Sequence, residues 1–133
     1  MKGGSARSMD EAESYRVADI SLADEGARRV DWARSRMPVL ASLKQQAELD
    51  KPLAGMTVAG CLPVTKETAV LIEMLAAAGA DVSWSGCNPL STQDDVAAWL
   101  AREGYSIFAW HGQDTKEFYQ CIDATIDAAP TLT

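Results

Sequence analysis

The chain has 133 residues, 47% of them hydrophobic, so it is long enough for one domain with a buried core and too apolar to be disordered throughout. Its 19 Asp and Glu residues outnumber 12 Lys and Arg residues, and the resulting net charge of −7 argues against a nucleic-acid-binding surface, which needs clustered cations. No apolar run reaches the roughly 18–20 residues of a membrane span, and 3 separated cysteines with 1 histidine argue against a metal site.

The N-terminal third predicts a leader and a pair of helices. Residues 1–14 are polar, and we expect a disordered leader there rather than a signal peptide. Apolar residues then recur at helical spacing over 22–36, and a second helix over 38–48 opens with Pro38, which suits a first turn. Gly55 lies in a stretch that breaks the helical pattern before the chain changes character.

The remaining two thirds alternate short apolar runs with longer helical runs that close at glycine or proline. This alternation is typical of parallel βα units, whose crossovers place helices on the faces of the sheet. The predicted fold class is therefore α/β: a three-layer, Rossmann-like partial domain with a short parallel sheet and flanking helices, preceded by the helix pair. We expect strands near 56–61, 81–85 and 106–110, and helices near 66–78, 92–103 and 115–128.

Two polar stretches follow successive predicted strands, "CLPVTKET" over 61–68 and "CNPLSTQDD" over 87–95. Both would lie at the carboxyl edge of the sheet, where open α/β folds bind ligands and helix N-termini point free N–H groups. They indicate a small polar ligand. The alternative is that these residues only cap helices, with Thr65 opening one helix and Ser91 or Thr92 the next.

These stretches also carry a resemblance to a known family. The chain "KPLAGMTVAGCLPVTKETAVLIEMLAAAGADVSWSGCNPLSTQDDVAAWLA", with "FAWHGQDTKEFYQCIDATI" after it, closely resembles the N-terminal part of the S-adenosylhomocysteine hydrolase (adenosylhomocysteinase) family, from about Tyr15 onward. The resemblance implies an enzyme that reversibly hydrolyses S-adenosyl-L-homocysteine to adenosine and L-homocysteine. It also implies tightly bound NAD, which oxidises the ribose 3′-hydroxyl and so acidifies the neighbouring C–H bond.

The resemblance assigns roles at both polar stretches. Thr65 and Glu67 would face the adenine, with Glu67 accepting a hydrogen bond from the exocyclic amine. The side chain of Gln93 would lie near the base. The full implied substrate-binding set, with the residues that pack on the nucleoside or shape its pocket, is Leu62, Thr65, Glu67, Thr68, Cys87, Asn88, Ser91, Thr92, Gln93 and Asp94.

The sequence also departs from the family pattern. Pro63 occupies the position where the family has a histidine beside the sugar, and proline offers neither an imidazole nor a backbone N–H. The chain ends at "APTLT", before the family's next strand and its acidic catalytic residue, and it lacks a G-x-G-x-x-G turn. We therefore expect residues 15–133 to be the N-terminal portion of an adenosine-binding domain, with no catalytic residue, no metal and no NAD site in this chain.

Three hypotheses follow for function. The chain is a fragment of a cytoplasmic adenosylhomocysteinase whose partner is adenosine or S-adenosylhomocysteine, or a naturally short, non-catalytic nucleoside-binding or interaction relative, or a structural module whose loops only cap helices. The family is homo-oligomeric, and a three-stranded parallel sheet without its next strand would expose an edge. We therefore also expect self-association through that edge.

Overall fold

The computed structural model describes residues 15–127 and 130–133; the predicted leader over 1–14 lies outside the described residues. A short 3-10 helix at Ile20–Leu22 leads into five α-helices interleaved with three strands. Among the described residues, none of these helices combines the length and apolar composition that crossing a membrane requires. The elements in chain order are α1 Ala23–Arg34, α2 Pro38–Asp50, β1 Thr57–Cys61, α3 Lys66–Ala77, β2 Asp81–Ser85, α4 Asp94–Arg102, β3 Ser106–Phe108 and α5 Thr115–Ile126.

The three strands form one parallel sheet in the order β1-β2-β3, as predicted. Val58 pairs with Val82, and Trp84 pairs with Ile107. Successive strands lie side by side because each helical crossover advances the chain by one position. The prediction of a three-layer α/β architecture with a preceding helix pair is confirmed.

The helices divide between the two faces of the sheet. Helices α3 and α4 pack on one face, with α1 lying across both of them and α2 against α3, while α5 packs against all three strands. Right-handed crossovers explain this division, because the chain moves in one direction from β1 to β3 and then turns back beneath the sheet through α5. The fully buried core beside α1, α3 and α4 is formed by Val30, Val64, Ile72, Val96, Leu100 and Ile107.

Both outer edges of the sheet pair with short segments of the same chain. At β1, the Ala59 N–H donates to the carbonyl of Leu132 at 2.9 Å, and the Thr131 N–H donates to the carbonyl of Thr57 at 2.8 Å. Arg16 pairs with β3 in the same parallel sense. The predicted bare edge is therefore corrected, because residues 131–132 return to occupy the edge of β1 from Thr57 to Ala59. Self-association of the chain stays a prediction.

A close approach between α1 and α4 fixes the position of the second helical crossover. Gly26 faces the start of α4, where a Cβ on this glycine would lie 1.9 Å from the backbone oxygen of Asp95. Arg29 reaches across the same contact, with its Nε 2.7 Å from a carboxylate oxygen of Asp95. Close packing and an ion pair therefore hold the N-terminus of α4 against α1.

Candidate functional site

Three strand-to-helix loops meet at the carboxyl edge of the sheet. We name them loop 1 (62–65, after β1), loop 2 (86–93, after β2) and loop 3 (109–114, after β3). Parallel strands direct all three loops to the same edge. The two polar stretches that the sequence singled out fall in loops 1 and 2 and in the first turns of α3 and α4, as predicted.

Loop 1 ends in a capped helix. Thr65 has extended backbone angles, φ −113° and ψ 171°, and its hydroxyl oxygen accepts a hydrogen bond from the Thr68 N–H at 3.3 Å. The hydroxyl of Thr65 also donates to that of Thr68 at 3.3 Å. This geometry satisfies one of the N–H groups that a helix leaves unpaired at its start, so the sequence prediction that Thr65 caps α3 is confirmed.

Gln93 joins loop 2 to loop 1 through two hydrogen bonds. Its backbone N–H donates to the carbonyl of Val64 at 2.9 Å, and its side-chain oxygen accepts from the Lys66 N–H at 3.2 Å. Lys66 is the first residue of α3, so its N–H has no partner within the helix. The N-terminus of α3 is thus held twice, by Thr65 from its own loop and by Gln93 from the neighbouring loop.

The polar residues at the start of loop 2 bond mainly to one another. The Asn88 side-chain oxygen accepts from the Leu90 N–H at 2.9 Å, which is an Asx turn, and the Ser91 hydroxyl donates to the carbonyl of Asn88 at 3.2 Å. The side-chain amide of Asn88 also lies 3.9 Å from the exposed Cys87 sulfur. These bonds satisfy polar atoms within a tight turn. Part of the polar sequence of loop 2 is therefore explained by the turn itself.

The predicted cap of α4 is wrong. The helix begins at Asp94 with Gln93 in the capping position, and no side-chain bond caps it. Ser91 bonds back to Asn88 instead, and the hydroxyl of Thr92 is buried with no protein partner among the described residues. The helix starts two residues later than the predicted 92, and the Gln93 N–H that precedes it bonds to the carbonyl of Val64 in loop 1 at 2.9 Å.

Asp94 connects loop 2 to loop 3. Its side-chain oxygen accepts from the His111 N–H at 2.9 Å, and the Gly112 N–H donates to the carbonyl of Pro89 at 2.8 Å. The His111 ring nitrogen Nδ1 lies 3.1 Å from the carbonyl of Leu90. Sequence reasoning placed Asp94 in the pocket and missed this link, which depends on a backbone N–H in another loop.

Glu67 presents a half-exposed carboxylate on the first turn of α3. The Lys66 ammonium lies 3.2 Å from this carboxylate and 5.5 Å from the centroid of the Trp32 ring. Partial burial acts to raise the pKa of Glu67, but hydrogen bonds from its own backbone N–H and from Lys66 outweigh burial and lower that pKa below its ordinary value. The side chain is therefore an ionised hydrogen-bond acceptor at neutral pH.

Leu62 is the first residue of loop 1. Its side chain is 47% exposed and lines an apolar cleft of about 510 Å³ at the outer edge of β1. Trp84 forms the floor of the cleft and lies flat on Gly60, where an added Cβ would come within 2.2 Å of the ring. The cleft is completed by Leu71, Leu75, Leu132 and the backbone of β1. Trp84 is also part of the buried core, and the cleft was not predicted from the sequence.

The ten predicted site residues therefore divide into groups. Thr65, Thr68 and Gln93 are joined around the N-terminus of α3, with Glu67 on the adjacent surface. Cys87, Asn88, Ser91 and Thr92 belong to the turn of loop 2, Asp94 faces loop 3, and Leu62 faces the cleft. Across residues 15–127 and 130–133, no cluster of three or more His, Cys, Asp or Glu side chains could hold a metal ion.

Comparison with known proteins shows the family of the chain. A family model described as S-adenosyl-L-homocysteine hydrolase matches residues 14–132. The adenosylhomocysteinases of Pyrobaculum aerophilum and Sulfurisphaera tokodaii are 50% and 46% identical over 118 residues, and an S-inosyl-L-homocysteine hydrolase of Methanopyrus kandleri is 45% identical over 118 residues. Each alignment covers 89% of this chain but only 27% or 28% of the relative.

The match runs through both polar loops and every element of the sheet. It takes in loop 1, loop 2 and the residues 131–132 that pair with β1. The family model thus covers nearly all of the described residues. The chain belongs to the S-adenosyl-L-homocysteine hydrolase family.

Proposed function

We propose that residues 15–133 form the N-terminal portion of an adenosine-binding domain, and that loops 1 and 2 hold the nucleoside half of S-adenosyl-L-homocysteine. The enzyme would reversibly hydrolyse this thioether to adenosine and L-homocysteine. The observation that carries the proposal is the ionised carboxylate of Glu67 on the first turn of α3, at the carboxyl edge of a parallel sheet. A carboxylate accepts hydrogen bonds only, and so suits the exocyclic amine of adenine.

The topology of the sheet supports the same location. Chain order runs outward from β1 to β3, and residues 131–132 then pair on the other side of β1. The strand order therefore reverses beside β1, and open α/β sheets bind ligands in the crevice outside the strand ends at such a point. Loop 1 follows β1 directly, which brings Thr65 and Glu67 to that crevice.

The assigned residues contribute in different ways. Glu67 accepts from the adenine amine, and Leu62 gives an apolar surface beside the nucleoside. Thr65 faces the base while Thr68 supports the loop, and Gln93 lies near the base. The loop 2 residues that shape the pocket are Cys87, Asn88, Ser91, Thr92 and Asp94.

Pro63 changes the chemistry expected beside the sugar. The family pattern has a histidine at this position, whose imidazole would donate to or take protons from the ribose hydroxyls. Proline provides neither function, and its own backbone carbonyl is used by the Thr65 N–H at 3.0 Å. We therefore expect weaker sugar positioning here than in a relative that carries histidine.

The strand-to-helix turns do not fit a dinucleotide. Loop 1 reads Leu62-Pro63-Val64-Thr65 where a dinucleotide fingerprint has glycines that let the backbone approach a pyrophosphate. Loops 2 and 3 do not contain the fingerprint either. In the proposed enzyme, NAD would accept a hydride from the ribose, and the residues that hold it would lie outside this chain. The same assignment predicts a cytoplasmic enzyme that acts as a homo-oligomer.

A second candidate substrate is S-inosyl-L-homocysteine, whose base is hypoxanthine. A relative at 45% identity is named S-inosyl-L-homocysteine hydrolase, close to the 46% of an adenosylhomocysteinase, so identity alone does not separate the two bases. The Lys66 ammonium, 3.2 Å from the Glu67 carboxylate, could donate to the 6-oxo group of inosine. Direct titration with adenosine and inosine decides between them.

The test is a graft of residues 15–133 onto the P. aerophilum adenosylhomocysteinase, in place of its matching segment. We expect the graft to bind adenosine by calorimetry and to turn over S-adenosylhomocysteine. Glu67→Ala should weaken adenosine binding about ten-fold or more, since a buried charge-assisted hydrogen bond contributes about 1.5–3 kcal/mol. Cys87→Ser should have a smaller effect, because a thiol is a weak donor.

A second substitution restores the histidine that the family has at position 63. Because this imidazole would lie beside the sugar, Pro63→His should raise the turnover of S-adenosylhomocysteine by the graft. A graft that folds and binds neither adenosine nor inosine would support the alternative of a non-catalytic interaction relative. Unchanged adenosine binding in Glu67→Ala would leave loops 1 and 2 as structural turns and overturn the site.

A further inference from the structure

We infer that Gln93 is a positioning residue, which sets the direction of Glu67 by bracing the first turn of α3, and that its side chain acts as an acceptor toward protein rather than as a donor toward the base. This inference rests on the proposed function for its effect on ligand. It adds, to the expectation that Gln93 lies near the base, a role defined by its hydrogen bonds to protein.

Three hydrogen bonds meet at Gln93. The Gln93 N–H donates to the Val64 carbonyl at 2.9 Å, and its side-chain oxygen accepts from the Lys66 N–H at 3.2 Å. Its own carbonyl accepts from the Ala97 N–H at 3.0 Å, which is the first hydrogen bond within α4. One residue thus joins the start of α3 to the start of α4.

The N-terminus of α4, which directly follows Gln93, is held in place by contacts with other parts of the chain. The beginning of α4 packs on Gly26 of α1 and is held by the Arg29–Asp95 ion pair at 2.7 Å. Asp94 adds a bond to the His111 N–H at 2.9 Å. The brace therefore extends from a fixed helix end toward loop 1, whose own side-chain cap is the 3.3 Å bond from Thr68 to Thr65.

The position of Lys66 in the chain connects this brace to Glu67. Its N–H is the first of α3, and Glu67 is the next residue. Loss of the bond to Gln93 would free the first turn to fray, because the first N–H groups of a helix have no partner within it. A frayed first turn would let the Glu67 carboxylate sample directions that do not meet a bound base, which lowers affinity without touching the ligand.

Two substitutions separate an acceptor role from a donor role. Gln93→Glu keeps the side-chain length and the acceptor but loses the amide donor, and a carboxylate is also favoured at a helix N-terminus. Gln93→Met keeps approximate length and removes both. If Gln93 braces Lys66, Gln93→Met should weaken adenosine binding to the graft about five- to ten-fold, as expected for the loss of about 1–1.4 kcal/mol. Gln93→Glu should restore most of that loss.

A matched control accounts for general destabilisation. Asp114 caps α5, accepting from the Glu117 N–H at 2.8 Å, and lies outside the binding residues. Asp114→Ala should lower the unfolding midpoint as much as Gln93→Met or more, with adenosine affinity unchanged. The effect of Gln93→Met should fall on KM, with kcat within about two-fold, because the residue acts on binding geometry.

Amide hydrogen exchange on the full 133-residue chain gives a readout that needs no ligand. The Lys66 N–H should be protected in the wild-type chain and in Gln93→Glu, and should exchange at least ten-fold faster in Gln93→Met. Equal loss of affinity in Gln93→Glu and Gln93→Met would indicate a direct bond to the base and overturn the inference. Unchanged Lys66 exchange or unchanged affinity in Gln93→Met would also overturn it. The failure of this inference can be told apart from the failure of the proposed function. If the unsubstituted graft binds no nucleoside, the proposed function fails and the positioning role fails with it. Lys66 exchange still decides whether the hydrogen bond from Lys66 to Gln93 braces the first turn of α3.

Discussion

Loops 1 and 2 follow neighbouring strands and have similar polar sequences, but they satisfy their polar groups in opposite ways. In loop 2, Asn88 and Ser91 close the turn, and Gln93 bonds to Val64 of loop 1 and to Lys66 at the start of α3. Asp94, the first residue of α4, bonds to loop 3. Loop 1 and the first turn of α3 receive bonds from Gln93, and about half of each of the Leu62 and Glu67 side chains stays exposed. The comparison teaches that two loops of similar polar sequence can differ in how they use it, one through hydrogen bonds to protein and the other through side chains that stay exposed.

The largest effect is expected from a substitution that displaces α4, the helix that follows loop 2. In Gly26→Ala, the new Cβ would meet the Asp95 backbone oxygen at 1.9 Å, and backbone at such a contact has little freedom to move. We expect a loss of about 3 kcal/mol in the free energy of unfolding, at the upper end of ordinary overpacking. Urea unfolding measures it, and helix propensity alone predicts the opposite sign, a gain of about 1 kcal/mol.

A somewhat smaller effect is expected beneath loop 1. In Gly60→Ala, the Cβ would lie 2.2 Å from the Trp84 ring, which can shift partly into the neighbouring cleft. We expect a loss of about 1–3 kcal/mol and a change in tryptophan fluorescence. The double variant with Trp84→Leu should recover part of the loss, because the clash is with this ring; additive effects of the two substitutions would contradict the contact.

The two loops can also be compared hydroxyl by hydroxyl. Thr65→Ala removes the cap of α3 and should cost about 1 kcal/mol, while Thr65→Ser should retain most of it. Ser91→Ala removes a bond inside an exposed turn and should stay within about 0.5 kcal/mol of the wild-type chain. Thermal unfolding of the three variants measures the difference. Equal losses for Thr65→Ala and Ser91→Ala would mean that the sequence pattern, and not the observed geometry, identifies the caps.

The smallest effect concerns the ionisation of Glu67. Its pKa is lowered in the folded chain, so the associated stability is present above the unfolded pKa and is lost as pH falls through the folded pKa. The carboxylate is half exposed, which keeps this contribution small. Carbon NMR of the Glu67 carboxyl should give a midpoint below the ordinary glutamate value of about 4.3. Lys66→Met should move that midpoint upward, and no movement would remove Lys66 from the causes.

Local patterns were enough to predict most of the fold. Short apolar runs and helices that end at glycine predicted the bounds of β1 and β2 to within one residue, because the periodicity of strands and helices depends on residues close in sequence. β3 is shorter than the predicted 106–110 and ends at Phe108, since the chain beyond it turns into loop 3 while Ala109 bonds to Arg16. That bond joins distant parts of the chain, and no local pattern encodes it.

In the candidate site, too, short-range contacts were predictable from the sequence and long-range contacts were not. The capping role of Thr65 was predictable, because a cap acts within three residues. The brace from Gln93 to Lys66 spans 27 residues, and the bond from Asp94 to His111 spans 17. Sequence inspection read those polar side chains as caps or ligand contacts, since their partners are backbone N–H groups that become neighbours only after the sheet has formed.

The pairing of residues 131–132 with β1 has a consequence for the order of folding. Thr57 and Thr131 are 74 positions apart, so this contact closes a long loop, whereas each βα unit forms from residues close in sequence. We expect the β1–α3–β2 unit to gain exchange protection first during refolding, and the amide of Ala59, which bonds to Leu132, to be among the last. The crevice beside loop 1 would therefore be completed only after the rest of the sheet has folded.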